Sequence, residues 1–178
     1  VWIDQVTNSL WCKIFEVNDK ESKNTNYLVN LTSSKQLTKP LKCNYDACFI
    51  LNRQDKLFGL YEKDEKDFLF SIDLNKDTQE LTVLREFDGF ASSLGSNEDN
   101  TLLSWIEWKN NMPWENNNLF IGSINSSGQL QKIVKFKNKK INFGKSVSFF
   151  QPLWISKNLL VCSEDSTGWW NLLFLKIN

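Results

Sequence analysis

QPLWISKNLLVCSEDSTGWWNL, from Gln151 to Leu172, decides the fold. An apolar strand, Leu159–Cys162, runs into acidic, small and glycine residues at Glu164–Gly168, and a second apolar strand leaves from Trp170 to Lys176. Glycine and aspartate punctuation between two β-rich runs is a hairpin signal. Two adjacent tryptophans, Trp169 and Trp170, stand at the corner. Alternate strand residues face opposite sides, so one ring is expected in the core and the other across a neighbouring surface or opening.

The rest of the chain varies this hairpin. Asp67–Leu74, Asn117–Ile124 and Trp170–Ile177 align, with Leu69, Leu119 and Leu172 repeating at spacings of 50 and 53 residues. Short strands read at Ser9–Phe15 and Asn26–Leu31, with a polar loop Val17–Thr25 between them and Pro40 stopping the segment. A second group is Cys48–Leu51, Lys56–Tyr61, Phe68–Leu74 and Glu80–Leu84, joined by polar turns that include the charge run Glu62–Asp67. A third is Ala91–Leu94, Leu102–Glu107, Leu119–Ile124 and Leu130–Phe136. A fourth is Val147–Phe150, Leu159–Cys162 and Leu172–Ile177, without a fourth strand. Groups of four strands recurring at roughly 40–50 residues are the pattern of a β-propeller. The expected fold class is all-β, a partial β-propeller of about three and a half four-stranded antiparallel blades. The blades fall near residues 1–41, 42–86, 87–137 and an incomplete 138–178. An all-β sandwich also spaces short strands evenly and is the competing architecture. Helix has no sustained 3.6-residue periodicity behind it.

Composition narrows the function. The 178 residues are enough to bury a core. Acidic and basic residues balance at 21 each, so no overall field attracts nucleic acid or an anionic membrane. No apolar run reaches membrane-span length, and no signal-peptide pattern opens the chain. The start at Val1-Trp2-Ile3 reads as a piece cut from a longer protein. Many asparagines and aromatics, with Ala47 and Ala91 the only alanines, disfavour helix. Cys12, Cys43, Cys48 and Cys162 fit no zinc spacing, and there is no histidine to complete a site. They read as reduced cysteines of a cytoplasmic protein, with Cys48 and Cys162 as small buried hydrophobes. No cofactor and no metal is expected.

Without histidine, these residues hold no Ser–His–Asp or Cys–His machinery, and no G-x-S-x-G elbow or phosphate loop occurs. The acids Glu107, Glu115, Glu164 and Asp165 fall at strand ends or turns. Two held close with split pKa values would serve as acid and base; solvated turn residues are the simpler reading. The basic run Lys135–Lys145 reads as a solvated loop, because the tryptophans of a nucleic-acid stacking platform would lie in basic stretches and these lie beside acids.

Trp105–Glu115, WIEWKNNMPWE, fills a connection that is shorter elsewhere. Its Met112-Pro113-Trp114-Glu115 tip is too apolar for a plain solvent loop. Trp114 either packs the loop over the blade edge, or projects with Glu115 into a cavity, the ring holding an apolar or amide group and the carboxylate pairing with an amine.

Met112–Glu115 followed by Leu119-Phe120, then Phe150-Gln151-Pro152-Leu153-Trp154, then Thr167–Leu172, resembles the N-terminal propeller of the prolyl oligopeptidase family. The nearest pattern is its bacterial dipeptidyl aminopeptidase and acylaminoacyl-peptidase-like branch, with motifs N-M-P-W-D-x-x-x-L, F-Q-P-x-W and T-G-W-W-N-L in that order. The resemblance covers the chain from about Gln36 onward. Glu115 stands for the usual Asp, Lys109-Asn110 for a His-Pro, Leu153 for a frequent acid, Ser156-Lys157-Asn158 for a Ser-Pro-Asp-Gly turn, and Glu164 for a Ser.

The resemblance implies a partner, the protein's own C-terminal α/β-hydrolase domain, which would carry Ser, Asp and His. The propeller would cover that active site and admit only short peptides. Met112, Trp114, Glu115, Trp169, Trp170 and Asn171 are then the candidate substrate contacts. The alternatives are a stand-alone TolB-like propeller for protein–protein interaction and a carboxylate-based glycosidase propeller. Exposed blade edges would allow a homodimer.

Overall fold

The computed structural model describes the backbone of residues 2–4, 9–18, 23–36, 38, 44–51, 56–76, 80–136 and 147–178, and the side chains of 27–36, 38, 56–76, 80–136 and 147–178. All the regular structure among them is antiparallel β-sheet. The chain divides into two compact units, Val1–Glu86 and Phe87–Asn178.

The first unit holds two meanders. One runs β1 (Trp2–Asp4), β2 (Ser9–Asn18), β3 (Lys23–Asn30) and β4 (Lys35–Gln36), and the other β5 (Asn44–Leu51), β6 (Lys56–Lys63), β7 (Lys66–Asp73) and β8 (Leu81–Glu86). Two expected loops are shorter than their polarity implies. The β2–β3 ladder reaches Asn18↔Lys23, through most of Val17–Thr25. The β6–β7 ladder reaches Lys63↔Lys66, through most of Glu62–Asp67, so only Asp64 and Glu65 turn. Both turn residues have positive φ, 51° and 62°. That is the type I′ geometry whose twist matches the flanking strands, so pairing continues into charged residues that lie at the solvent edge. Lys66 pairs there with Glu86.

β6 is buried from Leu57 through Tyr61 without alternation, because both of its faces are covered. Leu28, Leu57, Tyr61, Phe70 and Ile72 form one core cluster of this unit among the described residues. The Tyr61 ring stacks on Phe68 at 4.9 Å and meets Phe70 edge-on at 5.6 Å. Full burial of each such side chain stabilises by about 1.5–3 kcal/mol.

The second unit carries β9 (Phe90–Ser96), β10 (Leu102–Trp108), β11 (Asn118–Ile124) and β12 (Leu130–Lys135), then β13 (Phe149–Ser156), β14 (Leu159–Glu164) and β15 (Asn171–Lys176). The first four form a sheet in sequence order, and the last three form another. Trp105 is wholly buried, stacks on Phe120 at 6.0 Å and lies over Gly122. A Cβ on Gly122 would sit 2.9 Å from the Trp105 ring, so glycine makes that approach possible.

β13 differs from the expected Val147–Phe150: it begins at Phe149 and continues to Ser156. Pro152 lacks an N–H and normally ends a strand. Here it lies in a register shift between Phe150 and Leu153, beside Gln151 at φ 49°, where no ladder hydrogen bond is lost. First strands β5 and β9 carry register shifts of the same kind.

Each sheet is a meander of consecutive strands, with no crossing between two facing sheets. This is the blade topology of a partial all-β propeller, and it displaces the sandwich alternative.

Ile106, Leu119 and Ile121 of one sheet pack against Phe149, Leu160, Cys162 and Leu175 of the next, within the second unit. Polar contacts stitch the same seam. The Trp154 indole N–H donates to Ser104 Oγ at 3.0 Å, and Asn97 Nδ2 donates to the Lys157 carbonyl at 2.8 Å. Lys157 also pairs with Asp99 at 2.8 Å. Burial alone would push the Asp99 carboxyl up, but hydrogen bonds from Lys157 and Thr101 outweigh it and hold the pKa at about 2.

Cys162 is buried as expected; burial, then the Glu164 charge, push its thiol up to about 12. The Cys43 backbone, the Cys12 and Cys48 side chains, Pro40 and most of Lys135–Lys145 lie outside the described residues.

Candidate functional site

The β10–β11 and β14–β15 connections bring two of the three sequence motifs to one cavity, and Phe150 of the third motif also lines it. In the first, Glu115 N–H donates to the Met112 carbonyl at 2.9 Å, and the Glu115 carboxylate accepts the Met112 N–H at 3.1 Å. This closes a compact turn with Trp114 at its tip. Asn117 then anchors the turn: Nδ2 donates to the Pro113 carbonyl at 2.7 Å and the Phe149 carbonyl at 2.9 Å. Its Oδ1 accepts the Phe149 N–H at 2.7 Å.

In the second connection, Gly168 N–H donates to the Asp165 carbonyl at 2.8 Å, with Gly168 at φ 88°. Asn171 Nδ2 donates to Thr167 Oγ1 at 2.7 Å and to the Trp169 carbonyl at 2.8 Å. Asp165 Oδ1 accepts the Ser148 N–H at 2.7 Å, and Glu164, only 6 % exposed, accepts the Ser166 N–H at 2.8 Å. Glu107 accepts the Trp105 indole N–H at 2.6 Å. These acids are therefore turn and ring anchors rather than freely solvated groups, because each strand end leaves backbone donors that a carboxylate satisfies.

The cavity between the two connections holds about 430 Å³. Trp108, Trp114, Trp170, Phe149 and Phe150 supply its aromatic wall, with Ile106 and Pro113. Its polar lining is Ser92, Ser93, Asn117 and Ser163, and none of the lining residues is charged. Phe150 tilts against Trp170 at 6.1 Å, and Trp108 stacks on Phe90 at 5.7 Å. Ser93 has φ 58°, in a β9 bulge where Ser93 and Leu94 oppose Trp105 alone. Bulges re-aim side chains, and this one puts two consecutive serines on the same wall.

The six sequence candidates divide. Trp114 and Trp170 line the cavity; Met112, Glu115, Trp169 and Asn171 do not. Glu115 and Asn171 hold their own turns, and Met112 is exposed. The tandem tryptophans depart from expectation, since neither enters the core: Trp169 is 80 % and Trp170 52 % exposed. Both precede β15, so strand alternation does not govern them, and Leu175 fills the core position. Sequence reasoning left Trp108, Phe150, Asn117 and the Ser92-Ser93 pair out of the site. Trp108 and Phe150 stood within or beside the quoted motifs; the asparagine and the bulge gave no signal.

The Ser92 and Ser93 hydroxyls lie 3.3 Å apart, and the chain has no histidine to serve them as a base.

No protein-family model and no curated protein matches the chain. Solved structures do. A Mycobacterium tuberculosis puromycin-hydrolysing peptidase superposes with TM-score 0.68 at 17 % identity, over 94 % of this chain and 29 % of its own. A prolyl endopeptidase superposes with TM-score 0.64 at 10 % identity, over 95 % of this chain and 26 % of its own. TolB from Acinetobacter baumannii superposes with TM-score 0.60 at 10 % identity, over 96 % of this chain and 42 % of its own. At these identities the likeness is one of fold, and the chain spans less than half the length of each protein.

Proposed function

We propose that these residues are the substrate-gating portion of the propeller of a prolyl oligopeptidase-family serine peptidase acting on short peptides. The observation that carries the reading is the meeting of the three sequence motifs at one cavity: Trp114 from the Met-Pro-Trp-Glu loop, Phe150 from the Phe-Gln-Pro-Leu-Trp run and Trp170 from the Thr-Gly-Trp-Trp corner share its wall. Three ordered motifs and peptidase structures of the same fold support it. The propeller would cover the active site of the protein's own C-terminal α/β-hydrolase domain, which would supply the nucleophile, base and orienting acid that these residues lack. The branch proposed is the dipeptidyl aminopeptidase and acylaminoacyl-peptidase-like one, in the cytoplasm.

The test is the coding sequence after Asn178, followed by kinetics of the encoded protein. A G-x-S-x-G turn followed by Asp and then His is expected, with Trp114→Ala changing kcat/KM for peptides and leaving small esters untouched. A stop codon soon after the last blade, or equal peptide and ester kinetics in the variant, rejects the gating role.

The second reading is a TolB-like propeller used for protein–protein interaction. The TolB superposition over 96 % of this chain favours it. A secretory signal upstream and no hydrolase domain downstream would decide for it.

A further inference from the structure

We infer that the cavity between the Met112–Glu115 turn and the Thr167–Trp170 corner is a binding site for one uncharged aromatic side chain of a peptide. The peptide part rests on the proposed function; the aromatic recognition stands on the cavity alone.

The wall chemistry selects the occupant. Trp108, Trp114, Trp170 and Phe150 present ring faces and edges, which pair best with another ring in offset or edge-on contact. With no acid or base on the lining, a charged group entering would shed water and find no counter-charge. The expected pairing of a substrate amine with Glu115 therefore has no place here, since that carboxylate is turned back onto Met112 N–H.

Size agrees. Small-molecule sites run about 300–1,000 Å³, and 430 Å³ lies near the lower bound, room for a single residue rather than a folded partner. Polar groups are few and placed. The Asn117 amide is committed to Pro113 and Phe149, whereas among the described residues the Ser92 and Ser93 hydroxyls bond only to each other and can meet an indole N–H, a phenol or a peptide amide.

Backbone strain points to the same spot. Ser93 keeps a left-handed φ of 58° that a non-glycine residue adopts at a cost, and the bulge that imposes it opens onto this cavity. Meanwhile Trp114 is 64 % exposed in a turn held rigid by four hydrogen bonds, a large ring fixed in the open.

The test is a titration of the 178-residue chain, read by the indole N–H resonances of its tryptophans. The probes are N-acetyl-phenylalaninamide, N-acetyl-tryptophanamide and, for contrast, N-acetyl-aspartic acid amide. Saturable shifts at Trp114 and Trp170 are expected with the two aromatic amides, with binding at least about tenfold weaker for the aspartate probe. Trp114→Ala should weaken aromatic binding by about tenfold or more, while Trp169→Ala, off the wall, should leave it unchanged. Circular dichroism confirms that each variant is folded. Equal response to all three probes, or shifts confined to Trp169, overturns the inference. So does a dimer in sedimentation that dissociates on Trp114→Ala, because the occupant is then a second copy. Binding without a hydrolase domain downstream would reject the peptidase and keep the site; peptide kinetics that depend on Trp114 without aromatic binding would do the reverse.

Discussion

Asn117 and Phe149 form a two-way clasp: the asparagine Nδ2 donates to the phenylalanine carbonyl at 2.9 Å and Oδ1 accepts its N–H at 2.7 Å. The side chain thus mimics one rung of a β-ladder between Phe149, the first residue of β13, and Asn117, which lies just before β11 of the other sheet. Because the same Nδ2 also reaches the Pro113 carbonyl, the clasp ties the Trp114 turn to the start of β13, and Pro113, Asn117 and Phe149 all line the cavity.

Removing the clasp leaves a buried N–H and two carbonyls without their partner. Each unsatisfied buried group costs about 1–3 kcal/mol, so Asn117→Ala is predicted to lower stability by about 2–4 kcal/mol in urea unfolding. Asn117→Asp keeps the acceptor for Phe149 N–H but loses both donated bonds and buries a charge, so it should do no better than alanine. A loss below about 0.5 kcal/mol for alanine would show that the clasp holds nothing.

The Asp99–Lys157 pair gives the second unit a pH dependence at the other ends of the same strands. The folded Asp99 pKa, about 2, lies below its usual 3.8. Its contribution is therefore complete above about pH 5 and is lost as pH falls toward 2. Lys157 is shifted the opposite way, raised by the Asp99 hydrogen bond and charge from 10.5, so its contribution is complete below that value and is lost as pH rises through the higher folded pKa. Melting temperatures of the wild type and Asp99→Asn should differ most at neutral pH and converge near pH 2. Parallel curves across that range would dismiss the pair.

Cys162 should behave as a hidden thiol. With its pKa pushed up to about 12, almost none is thiolate at pH 8. Iodoacetamide followed by peptide mapping is predicted to leave Cys162 unmodified in the folded chain and to label it fully in denaturant. Rapid labelling under native conditions would mean that the seam between the two sheets opens.

Hairpins were legible from apolar alternation and turn residues, which act over a few positions. Longer-range features were not. Asn117 sits in the run Asn116-Asn117-Asn118 of an asparagine-rich chain, and its partner is 32 residues away. The β13 extension hides behind Pro152, whose meaning depends on a bulge that pairing alone creates. Trp114 and Trp170 were both named from their motifs. The sequence could not reveal that Glu115 serves its own turn, because a carboxylate three residues after an N–H reads the same whether it faces inward or outward.

Leu119 and Leu172 provide the sharpest comparison between sequence repeat and structure. They are equivalent in the repeat and both lie in the third strand of their sheets, yet Leu119 is fully buried and Leu172 is 69 % exposed. Leu119 pairs with Ile106 on the face packed against the next sheet. Leu172 pairs with Ser163 beside exposed Phe174, Leu153 and Ile155. Leu119→Ala is predicted to cost about 2–5 kcal/mol, through lost burial and the cavity left behind. Leu172→Ala should stay within about 0.5 kcal/mol, since little burial is removed. The ratio, measured by urea unfolding of the same chain, tests whether burial or strand position governs these leucines. Equal losses would mean that the β15 face is covered in solution.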